Sequence, residues 1–267
     1  MLKKIIRKIF SAFGLEVHKK NRRTKFFPYF LDKEVEGVKF KFYVGDTDGK
    51  QWYDEEARDP HWFEMKFVKD NMIQEGDVVY ECGSHHGCAT IMLSHWVGKQ
   101  GKVVSFEPNP VNFEITKINI NNNQLNNVEL INAAVGAEDG ETLLNTTSSN
   151  SSIITNESTC GNVHTVKLTR LDSLPGTEPN VLKIDVEGYE ADVLKGAKEI
   201  LKSKPCLAIE IHAEQLQNYN TSVKEIFDLI GRDKYNFWIQ WNDQEDPIPY
   251  NFEKEIITRV HLFGIPK

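Results

Sequence analysis

The sequence predicts an α/β protein with a doubly wound, mostly parallel sheet. From Asp77 onwards, short apolar segments alternate with longer amphipathic ones, and turns containing glycine, proline or asparagine separate them. This alternation is typical of βαβ units, because a helix must cross over between strands that run in the same direction. A chain of 267 residues with 40% hydrophobic residues also suffices to bury a full core.

The individual elements follow from periodicity and from their boundary residues. Asn109 and Pro110 are a typical N-cap and first-turn pair and mark a helix start. We predict strands at Asp77–Glu81, Lys102–Phe106, Val128–Asn132, Asn180–Ile184, Cys206–Ile211, Tyr235–Gln240 and Thr258–Phe263. We predict helices at Ala89–Val97, Pro110–Gln124, Glu190–Leu201 and Val223–Ile230.

One polar segment interrupts this order. In residues 145–159, twelve of fifteen are Asn, Ser or Thr. Such a composition buries too little apolar surface to order itself, so we expect a solvated insertion or a mobile lid. Its position between the third predicted strand and Val181 places it among the ligand loops of a doubly wound sheet.

The distribution of charge separates the first 25 residues from the rest. They hold nine basic residues and one acid and so carry a net charge of +8. Because the whole chain has a net charge of −7, residues 26–267 carry −15. An acidic body disfavours a nucleic-acid partner. The four cysteines have neither zinc-like nor disulfide-framework spacing and indicate a reducing compartment. No apolar run approaches the length of a membrane span, and we expect a cytoplasmic protein.

Residues 1–25 are predicted to form a basic amphipathic helix and a linker. Apolar and cationic side chains occupy opposite arcs at helical periodicity. Either the helix lies on an anionic membrane, which would make the protein peripheral at the inner face, or it packs on the domain with its lysines in water. Residues 26–76 are then an N-terminal extension on the substrate side, and residues 77–267 are the main domain.

The ends of the strands carry the candidate binding residues, because ligands of open α/β sheets bind beyond the carboxyl ends of the strands. The first strand ends in ECGSHHG, in which Gly83 and Gly87 allow a tight turn and a close backbone approach to a ligand. The dinucleotide pattern GxGxxG is absent. Glu107 follows the second strand, 24 residues after Gly83, where a carboxylate can accept bonds from ribose hydroxyls.

The next two strand ends are rich in charge. The fourth strand leads into KIDVEGYE, and the fifth ends in Glu210-Ile211-His212. Acids after an apolar strand favour a site at Asp185. His212 is either a general base or an ordinary surface histidine, and the expected proximity of Asp185 favours the base.

The motifs ECGSHHG, SFEPNP, AAVG and KIDVEGYE occur in the order seen in the FkbM family of methyltransferases, which this chain resembles from Val78 to His212. The resemblance implies a seven-stranded, Rossmann-like class I methyltransferase fold. It also implies S-adenosylmethionine as cofactor and O-methylation of a sugar, glycan or related small molecule. The first motif departs from the family's Asp-x-Gly-Ala-Asn at Glu81, Ser84 and His85.

Within this resemblance each candidate residue takes a role. Glu81 would receive the cofactor's amino group, and Asn132 and Ala133 would border the adenine. Asp185 would orient the acceptor or the base, and His212 would take the acceptor's proton. No metal motif is complete, so no metal is predicted. Two other functions compete with methyl transfer: a non-catalytic adapter at a membrane surface, and an NAD-dependent oxidoreductase. Two aromatic groups, Trp52–Tyr53–Trp62 and Trp238–Trp241–Tyr250, are candidates for stacking on sugars or for core packing.

Overall fold

The computed structural model describes residues 26–56, 62–154, 161–176 and 178–267. The predicted N-terminal helix lies outside these residues. Within them, no helix has the length and apolar character needed to cross a membrane.

The centre of the molecule is a large mixed sheet. Its parallel strands are β3 (Val78–Cys82), β4 (Lys102–Phe106), β5 (Val128–Ile131), β10 (Val181–Ile184), β11 (Cys206–Ile211) and β12 (Tyr235–Gln240). The antiparallel β14 (Val260–Pro266) lies between β11 and β12, and the short β13 (Ile248–Pro249) is added at the edge. The order is β13-β12-β14-β11-β10-β3-β4-β5. The predicted seven strands are present, and the edge strand at Ile248 is an addition.

The direction of winding reverses at β3. The chain builds β4 and β5 on one side of β3 and later returns to place β10 and β11 on the other. This reversal opens a crevice at the carboxyl ends of β3 and β10, where doubly wound sheets bind their ligands.

Helices cover both faces of the sheet. On one face, α5 (Glu190–Lys195) and α7 (Val223–Ile230) contribute to a core with Leu182 and Ile184. On the other, α2 (Phe63–Asn71) and α3 (Cys88–Val97) pack with Val79 and Val181. Neighbouring strand residues alternate between these two cores because side chains of a strand point to opposite faces. Two further helices are α4 (Pro110–Asn122) and α6 (Ala213–Leu216).

The helix predicted over Glu190–Leu201 is shorter than expected. It ends at Lys195 with Gly196 as its C-cap, and a single 3-10 turn follows at Ile200–Lys202. A Cβ on Gly196 would lie 2.0 Å from the backbone oxygen of Gly136. A backbone contact this close requires glycine, and the regular helix ends at this residue.

Two β structures outside the central sheet were not predicted. A hairpin of β1 (Tyr29–Val35) and β2 (Val38–Val44) packs into the hydrophobic core that contains α2 and α3. The chain then forms α1 (Thr47–Lys50) and a π-helical segment, Gln51–Glu56. A small sheet combines β6 (Ala134–Val135), β7 (Gly140–Asn145), β8 (Ser152–Ile153) and β9 (Val163–Thr169) in the order β6-β9-β7-β8.

The expectation that the polar segment cannot order itself is wrong for residues 145–154. The backbone N–H of Ser149 donates to Asp48 at 2.8 Å, and its carbonyl accepts from the Asn112 side chain at 2.8 Å. Asn109 also donates to the hydroxyl of Ser151. Hydrogen bonds to other elements therefore supply the order that apolar burial cannot. Residues 155–159 lie outside the described part of the chain.

Candidate active site

A cavity of about 1270 Å³ opens where the winding reverses. Its floor consists of residues at the carboxyl ends of β3, β4, β10 and β11, among them Gly83, Glu107, Asp185 and Glu210. The N-terminal hairpin and the segment from Ser149 to Ile153 form further walls. The cavity lies where the strand-end argument places a ligand.

The two glycines of the first motif have backbone conformations that favour glycine. Gly83 has φ +90°, and a Cβ there would lie 1.9 Å from the backbone oxygen of Asp185. Gly87, with φ +82°, is the N-cap of α3. Gly83 thus lets the ends of β3 and β10 approach closely, and it lines the cavity itself.

Glu107 faces the cavity and is 4% exposed. Its Oε2 accepts from the backbone N–H of His85 at 2.7 Å, and its Oε1 accepts from the backbone N–H of Asn109 at 2.9 Å. Burial raises the pKa of this carboxyl to about 8, although these hydrogen bonds favour the ionised form. The side chain of Asn112 also donates to Oε1, at 3.5 Å. Each carboxylate oxygen has about two acceptor positions, so Oε2 can accept another donor, such as a ribose hydroxyl.

The other predicted cofactor residues differ in position. Ala133 is fully buried and lines the cavity. Asn132 is exposed, and its side chain donates to the carbonyl of Glu107 at 2.7 Å, so it supports the Glu107 loop. Glu81 is fully buried beneath the cavity floor, where one carboxylate oxygen accepts from Thr90 at 2.6 Å and from Ser105 at 2.7 Å. Its contact with a cofactor amino group stays a prediction.

Asp185 and His212 lie together at adjacent strand ends, as predicted. The Nδ1 of His212 donates to Glu190 Oε1 at 2.7 Å, and Nε2 lies 3.5 Å from Glu187 Oε2 and 3.7 Å from Glu210 Oε1. Asp185, Glu187 and His212 each offer a ligand atom within 4.8 Å of the other two. The ring is 5% exposed, which excludes the interpretation of His212 as an ordinary surface histidine.

The surrounding charges determine the protonation of this histidine. Burial lowers the pKa of His212, but the hydrogen bond with Glu190 and the charges of Asp185 and Glu210 outweigh it and raise the pKa to about 9. Burial and the charge of Glu210 raise the pKa of Asp185, while Lys183 lowers it. At pH 7 both nitrogens of the His212 ring are therefore protonated. The ring can serve as a base only after Nε2 has lost its proton.

A charged network behind the strand ends was missed by the sequence analysis. The Nζ of Lys183, which is 4% exposed, lies 3.9 Å from Glu64 and 3.8 Å from Asp185. Burial lowers the pKa of Lys183, but the charges of Glu64 and Asp185 outweigh burial, so the pKa lies above its usual value. Arg259 bonds both Glu210 and Asp243. The KID motif and the strand end at Glu210 signalled part of this network, but Glu64, Asp243 and Arg259 come from distant segments.

The motif histidines contact the N-terminal extension. The hydroxyl of Tyr53 lies 2.6 Å from Nδ1 of His85, and the rings of His85 and His86 stack with centroids 4.1 Å apart. Burial and the neighbouring His86 lower the pKa of His85 to about 3, so it is neutral. The Nε2 of His85 is buried and has no hydrogen bond within the described chain. A neutral ring avoids repulsion of a cationic ligand.

The two aromatic groups separate clearly. Trp52, Tyr53 and Trp62 line the cavity, and Trp52 is 45% exposed. Trp238 and Tyr250 line a shallower groove at the β12 edge instead, and Trp241 packs edge-on against Tyr250. Only the first group can contact a ligand in the cavity.

Comparison with solved structures identifies the fold. The methyltransferase FkbM from Methylobacillus flagellatus KT superimposes with a TM-score of 0.51 at 16% identity, over 74% of this chain and 46% of that one. At this identity the similarity shows the fold alone. It is the class I methyltransferase fold, and the sequence-based expectation is confirmed.

The family follows from the sequence itself. Residues 81–238 match the model of the methyltransferase FkbM domain, and the chain belongs to that family. It is also 29% identical over 145 residues to the hexuronic acid methyltransferase AglP of Haloferax volcanii. That alignment covers 52% of this chain and 58% of the relative, so this chain matches little more than half of the relative's length.

Proposed function

We propose that this protein transfers a methyl group from S-adenosylmethionine to a hydroxyl oxygen of a sugar or glycan. The observation that carries the proposal is that the Gly83 turn and Glu107 line the same cavity as Asp185 and His212, at the carboxyl ends of neighbouring strands. The cavity of about 1270 Å³ has space for a cofactor and an acceptor together.

The cofactor residues fit this role. Gly83 keeps the backbone turn open, Glu107 would accept the ribose hydroxyls, and Ala133 would border the adenine. Gly87 would shape the turn and Glu81 would receive the amino group from beneath it, while Asn132 holds the Glu107 loop in place. Bound S-adenosylmethionine supplies an electrophilic methyl group on a positively charged sulfur. Acidic residues outnumber basic residues along the cavity wall, which favours a cationic ligand.

Asp185 and His212 would act on the acceptor hydroxyl. In-line displacement requires the acceptor oxygen to lie behind the methyl group, and a side chain at each of two adjacent strand ends can orient it there. Trp52 and Trp62 support a sugar acceptor, because their rings offer apolar faces at the cavity. The relative that methylates hexuronic acid supports the same class of acceptor.

Calorimetry with S-adenosylhomocysteine tests the proposal. Above the pKa of Glu107, at about pH 9, we expect binding to the wild-type protein and a loss of at least about 1.5 kcal/mol in Glu107→Ala, the order of a hydrogen bond to a charged group. Glu141→Ala is the matched control, because Glu141 is exposed on β7, away from the cavity. Wild-type affinity in Glu107→Ala would remove Glu107 from the site. Binding of NAD(H) instead would support the oxidoreductase, and binding of neither ligand would support the adapter.

The acceptor requires a separate screen. Methyl-labelled S-adenosylmethionine is incubated with neutral hexoses, hexuronic acids and their glycosides, and the products are analysed by mass spectrometry. Label on a ring hydroxyl supports O-methylation of sugars. Label on the carboxylate of a hexuronic acid would contradict the hydroxyl assignment.

A further inference from the structure

The carboxyl ends of β10 and β11 bring together donor atoms that the sequence does not place near one another. Asp185 follows β10, Glu187 lies in the loop before α5, and His212 follows β11. Their ligand atoms lie within 4.8 Å of one another. Donors around a common Mg²⁺ or Ca²⁺ stand at about 2.0 to 2.6 Å from the ion, so two opposite donors are about 4 to 5 Å apart. Small side-chain adjustments would therefore let all three reach one ion.

The Nε2 atom of His212 faces the space between the carboxylates of Asp185 and Glu187. The ring is 5% exposed, and no hydrogen bond involves its Nε2 within the described chain. The Nδ1–H is held by Glu190, which is fully buried. A carboxylate that accepts from the distal nitrogen of an imidazole fixes the ring orientation, and this arrangement is typical behind metal-bound histidines. Glu190 is fixed in turn by the backbone N–H of Gly188 at 2.9 Å.

The nearby basic side chains leave this position unfilled. Arg259 bonds Glu210 and Asp243, and Lys183 lies between Glu64 and Asp185 at the back of the cavity. Among the described residues, no lysine or arginine forms an ion pair with Glu187 or Glu190. The protonated ring of His212 balances Glu187 and Glu190, and a divalent cation that displaces the proton from Nε2 would supply this counter-charge in its place.

We propose that Asp185, Glu187 and His212 form a binding site for a divalent cation of the Mg²⁺ or Mn²⁺ type, open to the cavity on its remaining side. Two carboxylates favour a hard cation, and one imidazole is compatible with Mn²⁺. The sequence itself predicts no metal, because these three residues complete no known metal-binding motif.

The use of the ion in catalysis rests on the proposed function, whereas its binding does not. A cation at this position can bind an acceptor hydroxyl, orient it and lower its pKa. His212 would then act as a ligand and not as a base. Asp185 and Glu187 would hold the ion, and Glu190 would act as a positioning residue through His212.

Titration with Mn²⁺ tests the site without an acceptor. Calorimetry should show one ion bound per chain. The electron paramagnetic resonance signal of free Mn²⁺ should fall by the same amount. Asp185→Asn and Glu187→Gln should each weaken binding at least tenfold, and Glu190→Gln should weaken it by about 10- to 100-fold without touching the ion. Glu214→Gln removes the same charge from the same cavity outside the three ligands and should leave the affinity unchanged. Circular dichroism verifies that each variant is folded.

Two results would overturn the proposal: no Mn²⁺ binding to the wild-type protein, or equal binding to the wild type, Asp185→Asn and Glu187→Gln. Since Glu187 is a second, independent ligand, a failure of Asp185→Asn to fold still leaves a decisive variant. Calorimetry with S-adenosylhomocysteine on the same samples separates this proposal from the proposed function. Cofactor binding without Mn²⁺ binding refutes the cation site alone, and Mn²⁺ binding without cofactor binding refutes the proposed cofactor alone.

Discussion

Substitution of Gly83 by alanine should reveal how closely the site depends on the backbone contact between β3 and β10. The added Cβ would lie 1.9 Å from the backbone oxygen of Asp185. An ordinary carbon–oxygen contact is about 3.3 Å, so the two strand ends must separate by roughly 1.4 Å. Such overpacking costs about 1 to 3 kcal/mol, in addition to about 1 to 2 kcal/mol for a Cβ at positive φ.

Gly76→Ala is the matched control at the opposite end of the same strand. Gly76 has φ +96°, close to the +90° of Gly83, but a Cβ there meets no atom within 4 Å. It should therefore show only the backbone cost of about 1 to 2 kcal/mol. The difference in the free energy of unfolding between the two variants isolates the contact with Asp185.

Urea denaturation and calorimetry with S-adenosylhomocysteine give the two measurements. We expect Gly83→Ala to lose about 2 to 5 kcal/mol of stability in total and to bind the ligand at least tenfold more weakly, because misplacement of a site by about 1 Å is costly. Gly76→Ala should bind normally. If Gly83→Ala is no less stable than Gly76→Ala and binds as the wild type does, the close approach of β3 and β10 is not what requires glycine.

Three further predictions concern titration, catalysis and the N-terminus. Burial raises the pKa of Glu107 to about 8, and ribose hydroxyls donate to its ionised form. The affinity for S-adenosylhomocysteine should therefore rise from about pH 6 to pH 9, whereas Glu107→Gln should show no pH dependence. A flat profile for the wild type contradicts this. With the acceptor found by screening, His212→Ala should lower kcat by about a hundredfold or more at constant cofactor affinity, and an unchanged kcat would make His212 a bystander. The 267-residue chain should sediment with anionic but not with neutral liposomes, and high salt should reverse this binding. Deletion of residues 1–25 should abolish binding without unfolding the domain. A lack of binding to anionic vesicles supports a packed helix.

Local patterns determined the central sheet. Strands such as Lys102–Phe106 and Cys206–Ile211 were predicted with the bounds that the structure has. Each is a short apolar run between turn residues, and this information lies within a few neighbouring positions. The strand-end rule then placed Gly83, Glu107, Asp185 and His212 at one edge of the sheet, because parallel strands share the edge where they end.

Contacts between distant segments stabilise the structures that the local sequence patterns did not predict. The β1–β2 hairpin combines several charged residues with apolar ones, and it is stabilised by packing against α3. Residues 145–154 lack the apolar surface for order and obtain it from Asp48 and Asn112. Neither partner can be recognised from the polar segment itself, because tertiary hydrogen bonds leave no local periodicity.

The same division applies to the candidate site. The sequence determined which strand ends carry glycine, carboxylate and imidazole, since strand ends are visible in the hydrophobic pattern. Only the tertiary structure placed Glu81 beneath the floor, raised the pKa of His212 through Glu190, and assembled Lys183, Glu64 and Arg259 behind the acids. Charge interactions depend on distances of a few ångströms and on burial. Both are decided by which segments pack together, and a single sequence does not display that packing.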